Sequence, residues 1–473
     1  MSERRISHEA GLEPLARAIE AEASQLGTRA FLVGGYVRDR LLDPPRPCKD
    51  IDVVVEGNLG TDLAEAVAAR LGVRRPVVFE RFGTAQLSAE DFLVEFVSAR
   101  AESYAPDSRK PDVKPATLED DMRRRDFTVN ALMADADGRV TDLTGRGLDD
   151  MEAHLLRTPL PAADTFAEDP LRAVRAVRFA VALDFAMHDD IPPAIRANLD
   201  RLQAVVSVER VNDELRRMIL GPRPGRALSL LWETGLLERL LPEVTVMAGV
   251  EQTGFHHLDV LQHTLAALDH VAARPVPHLA PPLELRLRLG MLFHDTGKPA
   301  TAVRDGDKLT FYGHPDVGAT AAVSALRRLR FSNDEVDDVA HLVAMHMRPI
   351  QYAPDWSDGA IRRLVREGGD LLPALLDLAD GDMAASEYPA EEAAEKMGGL
   401  RRRVAEVSAD VSHGARSPLD GHALMAHYGH RAGPWISAVQ DALVEAILDG
   451  ALPPHDEAAA WAYLERHPEL APA

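Results

Sequence analysis

Four things are scarce in this chain, and each scarcity excludes something. A single cysteine, Cys48, stands in 473 residues, so no disulfide framework can be built and a reducing compartment is expected. No apolar run approaches the length of a membrane span, and the opening residues Met1 to His8 lack the apolar core of a signal peptide. The expectation is a cytoplasmic protein without a membrane partner. Positive charge is also short, the formal net charge being -22, which argues against general adhesion to nucleic acid.

The deficit is uneven. Residues 172–226 hold ten arginines against seven acids, and Arg123-Arg124-Arg125 adds a basic knot, while acids crowd the C-terminal third. An acidic body with a basic channel in its first half can grip an RNA locally. With 46% hydrophobic residues, a chain of this length supports roughly two to four domains.

The most informative stretch is Phe31-Leu-Val-Gly-Gly-Tyr-Val-Arg-Asp-Arg-Leu-Leu42, followed by Cys48-Lys-Asp-Ile-Asp-Val-Val-Val55. An apolar run breaks at Gly34-Gly35 and passes into a helical pattern carrying Arg38 and Asp39, which predicts strand, tight turn and helix start. In the second run Asp50 and Asp52 alternate with Ile51, Val53 and Val55, so both carboxylates project from one face of a strand. Two neighbouring carboxylates repel, and a hard divalent cation such as Mg²⁺ resolves that repulsion while taking the rest of its shell from phosphates and water. A bare Asp-x-Asp is more often a pair of solvated acids. Here the glycine turn shifts the balance, because bare amides at a helix start can receive a triphosphate.

Gly34-Gly35-Tyr-Val-Arg38-Asp followed by Asp50-Ile-Asp52 resembles the polymerase-β type of nucleotidyltransferase, and specifically the tRNA nucleotidyltransferase and poly(A) polymerase family of the class II CCA-adding type. The resemblance implies an α+β fold: a small nucleotidyltransferase head on a mixed sheet, then an all-α neck and body, an all-α HD domain and a helical tail. The expected divisions are a helix over 1–26, the head over 27–160, the neck and body over 161–248, the HD domain over 249–392 and the tail over 393–473. It further implies that Asp50 and Asp52 hold the Mg²⁺ ions and that Gly34, Gly35 and Arg38 hold phosphates.

Strands are expected at Val77 to Glu80, Thr84 to Ser88 and Phe92 to Val97, and Glu95 on the last is a candidate third carboxylate or an ordinary solvated one. Tyr104 to Pro115, rich in proline and charge, reads as a loop. Arg124-Arg125-Asp126-Phe-Thr-Val-Asn130-Ala131 resembles the family's second motif. By that resemblance Arg125 contacts the triphosphate, while Asp126 and Asn130 recognise the ribose, whose 2′-hydroxyl both donates and accepts.

Downstream, Pro170 sits early in a helical pattern with Leu171, Val174, Val177 and Val181 on its apolar stripe, and Asp169 and Arg172 one turn apart beside it. An exposed ion pair is the plain interpretation. A carboxylate beside a guanidinium also matches the donor and acceptor edges of cytosine and adenine. The resemblance implies that Asp169 and Arg172 act as a protein template for the incoming nucleotide, with Arg175 and Arg178 as further nucleotide contacts. Ser207 to Ile219 resembles the family's neck helix.

A second constellation lies beyond Gly249: His263, the adjacent His294-Asp295 before Thr-Gly-Lys298, and Asp380. Burying an adjacent His and Asp without a partner is costly. Together they resemble the HD metal phosphohydrolases, in which imidazole and carboxylate hold a divalent transition metal that activates water. His314 and His346 are candidates for a second metal or for structural roles. The segments Leu419–Met425 and Ala432–Ile436 resemble the family's closing helical module.

The function that follows is addition of CCA, or part of it, to the 3′ end of tRNA from CTP and ATP, releasing pyrophosphate, with the HD domain a further metal-dependent phosphohydrolase. Glu80-Arg81-Phe-Gly-Thr84 resembles the flexible loop that permits the terminal A, which makes CC-only addition the least favoured variant. A-only addition, poly(A) synthesis, and an RNA-binding regulator with HD phosphodiesterase activity are the alternatives.

Overall fold

The strand patterns of the first third assemble into one seven-stranded mixed sheet. In the computed structural model all residues are described except 1–3, 80–82, 104–111, 253–257, 307, 412–415, 449, 454 and 472–473. The chain divides into two units, Met1–Met218 with Arg226–Leu240 and Ile219–Gly225 with Leu241–Ala473.

In the first unit α1 (Glu13–Gln25) leads to β1 (Ala30–Val33), α2 (Gly35–Leu41), β2 (Asp50–Val55), α3 (Gly60–Leu71), β3 (Val77–Phe79), β4 (Thr84–Ala89) and β5 (Phe92–Ser98). A separate ribbon, β6 (Arg100–Ser103) with β7 (Asp112–Pro115), is followed by α4 (Leu118–Arg123), a 3-10 turn at Thr128–Asn130, β8 (Leu132–Ala134) and β9 (Val140–Asp142). The expected loop from Tyr104 to Pro115 therefore ends in a paired strand, and its residues 104–111 lie outside the described ones.

The sheet order is β3-β4-β5-β2-β1-β8-β9, with β2 and β5 parallel and the other pairs antiparallel. Register then sets the site. Asp52 lies opposite Val33 on one side and Glu95 on the other. The opposite face is covered by α3, whose Leu63, Ala64, Val67 and Ala68 are buried at helical spacing.

The predicted strand, turn and helix start is present: Gly34 has φ +76° and caps α2. A Cβ there would lie 3.2 Å from the Arg125 guanidinium and 3.4 Å from Asp52 Oδ2, in a backbone region that side chains rarely adopt. Only glycine lets the turn approach the two site residues this closely.

Beyond the sheet come α5 (Gly147–Glu152), the short parallel pair β10 (Leu155–Leu156) and β11 (Ala186–Met187), α6 (Ala162–Glu168), α7 (Leu171–Leu183), α8 (Ile191–Ala197), α9 (Leu199–Val205) and α10 (Val208–Ile219). One expectation is corrected here. Asp169 does not share a helix with Arg172: α6 ends at Glu168, Asp169 is extended at φ -130° and ψ 99°, and α7 begins after Pro170. The cause is Pro170, whose ring drives the preceding residue out of the helical region.

In the second unit, Val260–Ala273, Pro281–Phe293, His314–Arg328, Asn333–Met345 and Leu372–Ala384 are the helices that carry or surround the His and Asp residues. The hairpin Val303–Asp305 with Lys308–Thr310 stands before His314. Gly421–Tyr428, Pro434–Leu448 and Glu457–Arg466 form a closing module around its own core of Leu424, Val439, Leu443 and Leu464. No helix among the described residues is long and apolar enough to cross a membrane.

Phe96 is fully buried beside Glu95 on β5, whereas Leu93 on the same strand is 38% exposed. Phe96→Ala is expected to cost about 3–5 kcal/mol in urea unfolding, and Leu93→Ala less than about 1 kcal/mol.

Candidate active site and metal centre

The carboxylate face of β2 opens on a cleft of about 500 Å³ lined by Asp52, Glu95, Arg124, Arg125, Asp126, Asp169, Arg172, Arg175, Arg210 and Glu214. Asp50 lies two residues before Asp52 on the same strand face. Partial burial pushes the Asp52 carboxyl above its ordinary range; Arg125 opposes the rise and Asp50 adds to it. The side chain still reaches solvent. Carboxylates that resist sharing negative charge, open to water and flanked by Glu95, form a hard-oxygen donor set that fits Mg²⁺.

Arg125 reaches the Asn130 carbonyl at 3.5 Å and Asp121 Oδ2 at 3.3 Å, and its Nε is buried with no hydrogen-bond partner. A guanidinium placed like this beside a glycine turn suits an anion. Arg38 is a different case. It is buried, donates to Asn130 Oδ1 at 2.6 Å and to Asp39 Oδ1 at 2.8 Å, and lies 5.0 Å from the centroid of the Phe179 ring. It braces Asn130 against α7 and does not line the cleft.

Asp126 organises what surrounds it. Its Oδ1 accepts from the Phe127 amide and from Asn130 Nδ2, and its Oδ2 accepts from Arg175 Nη2 at 2.6 Å and Nε at 2.9 Å. Burial alone would raise this carboxyl, but Arg175, Asn130 and Arg172 outweigh it and bring its pKa to about 2. Glu214 on α10 receives Arg175 and Arg178 together. Burial lowers Arg178 despite Glu214, whereas for Arg175 Asp126 and Glu214 overcome burial and raise it. Arg178 lies 4.0 Å over the Phe179 ring. Asp126, Asn130, Arg175 and Arg178 therefore stand in one ion-paired network.

Of the pair expected to read the base, Arg172 is buried and donates to Glu168 Oε2 at 2.9 Å and to the Arg124 carbonyl at 2.7 Å. Asp169 Oδ1 accepts from the Leu171 amide at 3.1 Å, and its Oδ2 accepts from Arg210 at 2.7 Å. Both residues line the same cleft as Asp52.

In the second unit His263, His294 and Asp382 form one group of potential ligands and Asp295, His314 and His346 another, the ligand atoms in each lying within 4.8 Å of one another. Asp380 does not join them. It pairs with Arg401 at 2.7 Å and Arg274 at 3.9 Å, and Asp382 takes the place expected for it, 2.8 Å from His263 Nε2.

His294, His314 and His346 each turn Nδ1 to a backbone carbonyl, of Met291, Phe311 and Val343. That leaves Nε2 facing inward, the arrangement of a histidine ligand. The Nε2 atoms of His314 and His346 face each other at 3.1 Å, and His294 Nε2 is buried without a well-aligned hydrogen-bond partner, 3.2 Å from Asp295 Oδ2. Two imidazole lone pairs cannot satisfy each other, so the donor set fits a divalent transition metal. Burial would keep His294 neutral, but Asp295 and Asp382 raise it to about 10, while burial and the neighbouring His294 bring His346 down to about 3. Lys298 contacts Asp295 at 2.7 Å and Gln252 at 2.6 Å. A pocket of about 650 Å³ opens over Asp295, Lys298, His314 and Asp382, walled by Phe311, Met347, Ile350 and Tyr388.

Asp382, Glu214, Lys298 and Arg210 are the residues that reading the sequence did not assign. For Asp382 a signal exists: it continues the buried phase of Leu375, Leu378 and Ala379 along its helix, whereas Asp380 falls off that phase beside Asp377. Glu214 and Arg210 carry no local signal, since their partners lie more than thirty residues away.

The Poly A polymerase head domain family matches residues 30–157, the probable RNA and SrmB-binding site of polymerase A matches 184–247, and the HD domain matches 255–384. The A-adding tRNA nucleotidyltransferase of Deinococcus radiodurans is 34% identical over 440 residues, covering 91% of this chain and 94% of the relative. The CC-adding tRNA nucleotidyltransferase of Thermus thermophilus is 34% identical over 438 residues, covering 91% and 92%. Among solved structures, the Bacillus stearothermophilus CCA-adding enzyme in complex with CTP superposes with a TM-score of 0.67 at 27% identity, covering 98% of this chain and 99% of that one.

The depressed Asp126 carboxyl predicts an acid limb of stability. Its contribution is in full force above the ordinary carboxylate pKa and is lost as pH falls from about 4 through about 2. Urea midpoints at pH 5 and pH 2.5 should reveal a loss of about 2 kcal/mol attributable to this group, absent in Asp126→Asn.

Proposed function

Because the chain belongs to the tRNA nucleotidyltransferase and poly(A) polymerase family, we propose that it extends the 3′ end of tRNA, adding CCA or part of it from CTP and ATP without a nucleic-acid template. The observation that carries this reading is the convergence of Asp52, Arg125, Asp169 and Arg172 on one cleft. In this reading Asp52 serves as metal carboxylate, Arg125 as phosphate-binding guanidinium and Asp169 with Arg172 as base-reading pair, all lining one cleft of about 500 Å³.

In this reading Asp50 and Asp52 hold Mg²⁺, with Glu95 beside them. The bound metal supplies a lowered hydroxyl pKa and neutralises charge on the phosphoryl group. The Gly35 amide and the Arg125 guanidinium hold the triphosphate, while the Gly34 amide donates to the Leu132 carbonyl at 3.2 Å and fixes the turn. Arg38, Asp126 and Asn130 shape the ribose side of the cleft through their shared network, and Arg175 and Arg178 fix α7 to α10. Asp169 and Arg172 present an acceptor and donors to the base edge. The tRNA 3′-hydroxyl oxygen bonds to the α-phosphorus as its proton leaves, and the bond to pyrophosphate breaks.

Relatives at the same 34% identity are an A-adding and a CC-adding enzyme, so likeness alone does not select the product. The motif Glu80–Thr84 supports incorporation of the terminal A; its residues 80–82 lie outside the described ones. The work of such an enzyme fits the cytoplasm.

The histidine cluster supports a second reaction in the same chain, metal-dependent hydrolysis of a phosphoester. His263, His294 and Asp382 would hold one divalent transition metal, and His314 and His346 with Asp295 a second. Lys298, at the edge of the cluster, is positioned to meet a phosphate oxygen.

Purified protein supplied with tRNA transcripts ending before CCA, after CC, or lacking a tRNA fold, with CTP and ATP singly and together, separates full CCA, CC-only, A-only and poly(A) activity. Asp52→Ala is expected to reduce incorporation by at least about 10³-fold and to leave metal-dependent phosphatase activity intact, with His294→Ala giving the reverse. Wild-type incorporation by Asp52→Ala would refute the site assignment.

A further inference from the structure

The arginines that line the nucleotide cleft are not held alike. Arg172 is buried and donates to the Glu168 carboxylate and the Arg124 carbonyl, and Arg175 is clamped between Asp126 and Glu214. Arg210 differs on both counts. Its side chain is 53% exposed, and among the described residues its guanidinium pairs with Asp169, Nη2 to Oδ2 at 2.7 Å. Asp169 is 14% exposed at its side chain, with its other oxygen already accepting from the Leu171 amide. One oxygen of the base-reading carboxylate is thus taken by a half-exposed guanidinium that lines the same cleft.

We infer that Arg210 is a placeholder: in the nucleotide-free cleft it donates to Asp169 Oδ2 in the position that the exocyclic amino group of cytosine or adenine must claim. The inference rests on Asp169 reading the base. Cytosine and adenine carry an N–H₂ donor at that edge, while uracil and guanine present a carbonyl oxygen there. An amino group can replace the guanidinium N–H one for one. A carbonyl cannot, because it would set an oxygen lone pair against a carboxylate, so with uracil or guanine Arg210 stays in place. The contact therefore lowers affinity only for the nucleotides that displace it, and it returns Asp169 to the same starting state after each addition. A partly exposed ion pair with one donor is weak enough to be exchanged in this way.

Equilibrium dialysis of radiolabelled CTP, ATP and UTP against the full chain, in Mg²⁺ and without tRNA, tests it. Arg210→Gln should tighten CTP and ATP by about two- to five-fold and leave UTP unchanged or weaker, with Arg210→Lys in between; thermal melts at the wild-type temperature confirm that the fold is kept. In steady-state incorporation the same variant should lower KM for CTP or ATP with kcat little altered. Unchanged or weaker CTP and ATP binding, or equal tightening of UTP, would overturn the placeholder role. Asp169→Ala separates the premise from the inference. If it keeps the preference of CTP over UTP, base reading by Asp169 is wrong; if it loses that preference while Arg210→Gln fails to tighten CTP and ATP, only the placeholder is wrong.

Discussion

The buried carboxylate of Asp126 takes the Arg175 guanidinium through two nitrogens, and Arg175 in turn shares Glu214 with Arg178. Three segments far apart in sequence are joined by this chain of charges: the Arg-Asp-Phe-Thr motif after α4, helix α7 and helix α10. None of the members is tolerable alone at that depth, since an unpaired buried charge is strongly destabilising. The need to neutralise each other therefore fixes where α7 stands against the sheet, and with it where Asp169 and Arg172 stand relative to Asp52. Phe179 supports the arrangement sterically and electrostatically, with Arg38, Arg175 and Arg178 within 5.2 Å of its ring centroid.

Much of this was legible before any coordinates, because the informative features were local. Gly34 shows itself as the break between an apolar run and a helical pattern, and Asp50 and Asp52 by alternation with β-branched residues. The α+β order of sheet and helices is what the family resemblance implies. What was not legible was the competition for each side chain. Arg38 reads as a phosphate ligand in a motif and stands as a brace against Asn130 and Phe179; Asp126 and Asn130 are bonded to each other and to neighbours that a linear pattern cannot name. Asp169 was displaced from its expected helix by a residue whose effect on its predecessor is well defined, a case where a local rule sufficed and was outweighed by the pull of the helical stripe.

The histidine centre teaches a related lesson. His263 and the His294-Asp295 pair stand out as polar residues in apolar helices, yet the final carboxylate was assigned two positions early. Asp380 and Asp382 are both helical and both acidic, and what separates them is phase: one turns to Arg401 and Arg274, the other to His263. Gly297, directly after His-Asp-Thr, has a comparable role in space. A Cβ there would sit 2.1 Å from the His314 carbonyl, so the lack of a side chain lets the loop close on the helix that delivers His314.

Pro170 has a mechanical effect beyond marking a helix start. It assigns the two members of the proposed base-reading pair to different elements, Arg172 to the rod of α7 and Asp169 to the joint between two rods. Their separation is set by the extended backbone of Asp169, whose amide donates to the Thr165 carbonyl at 3.3 Å and whose carbonyl accepts from the Arg172 amide at 3.0 Å, so the joint is fastened to both rods. On the proposed reading, a single-ring and a double-ring base would meet one wall whose two contacts are carried by separate but tethered elements.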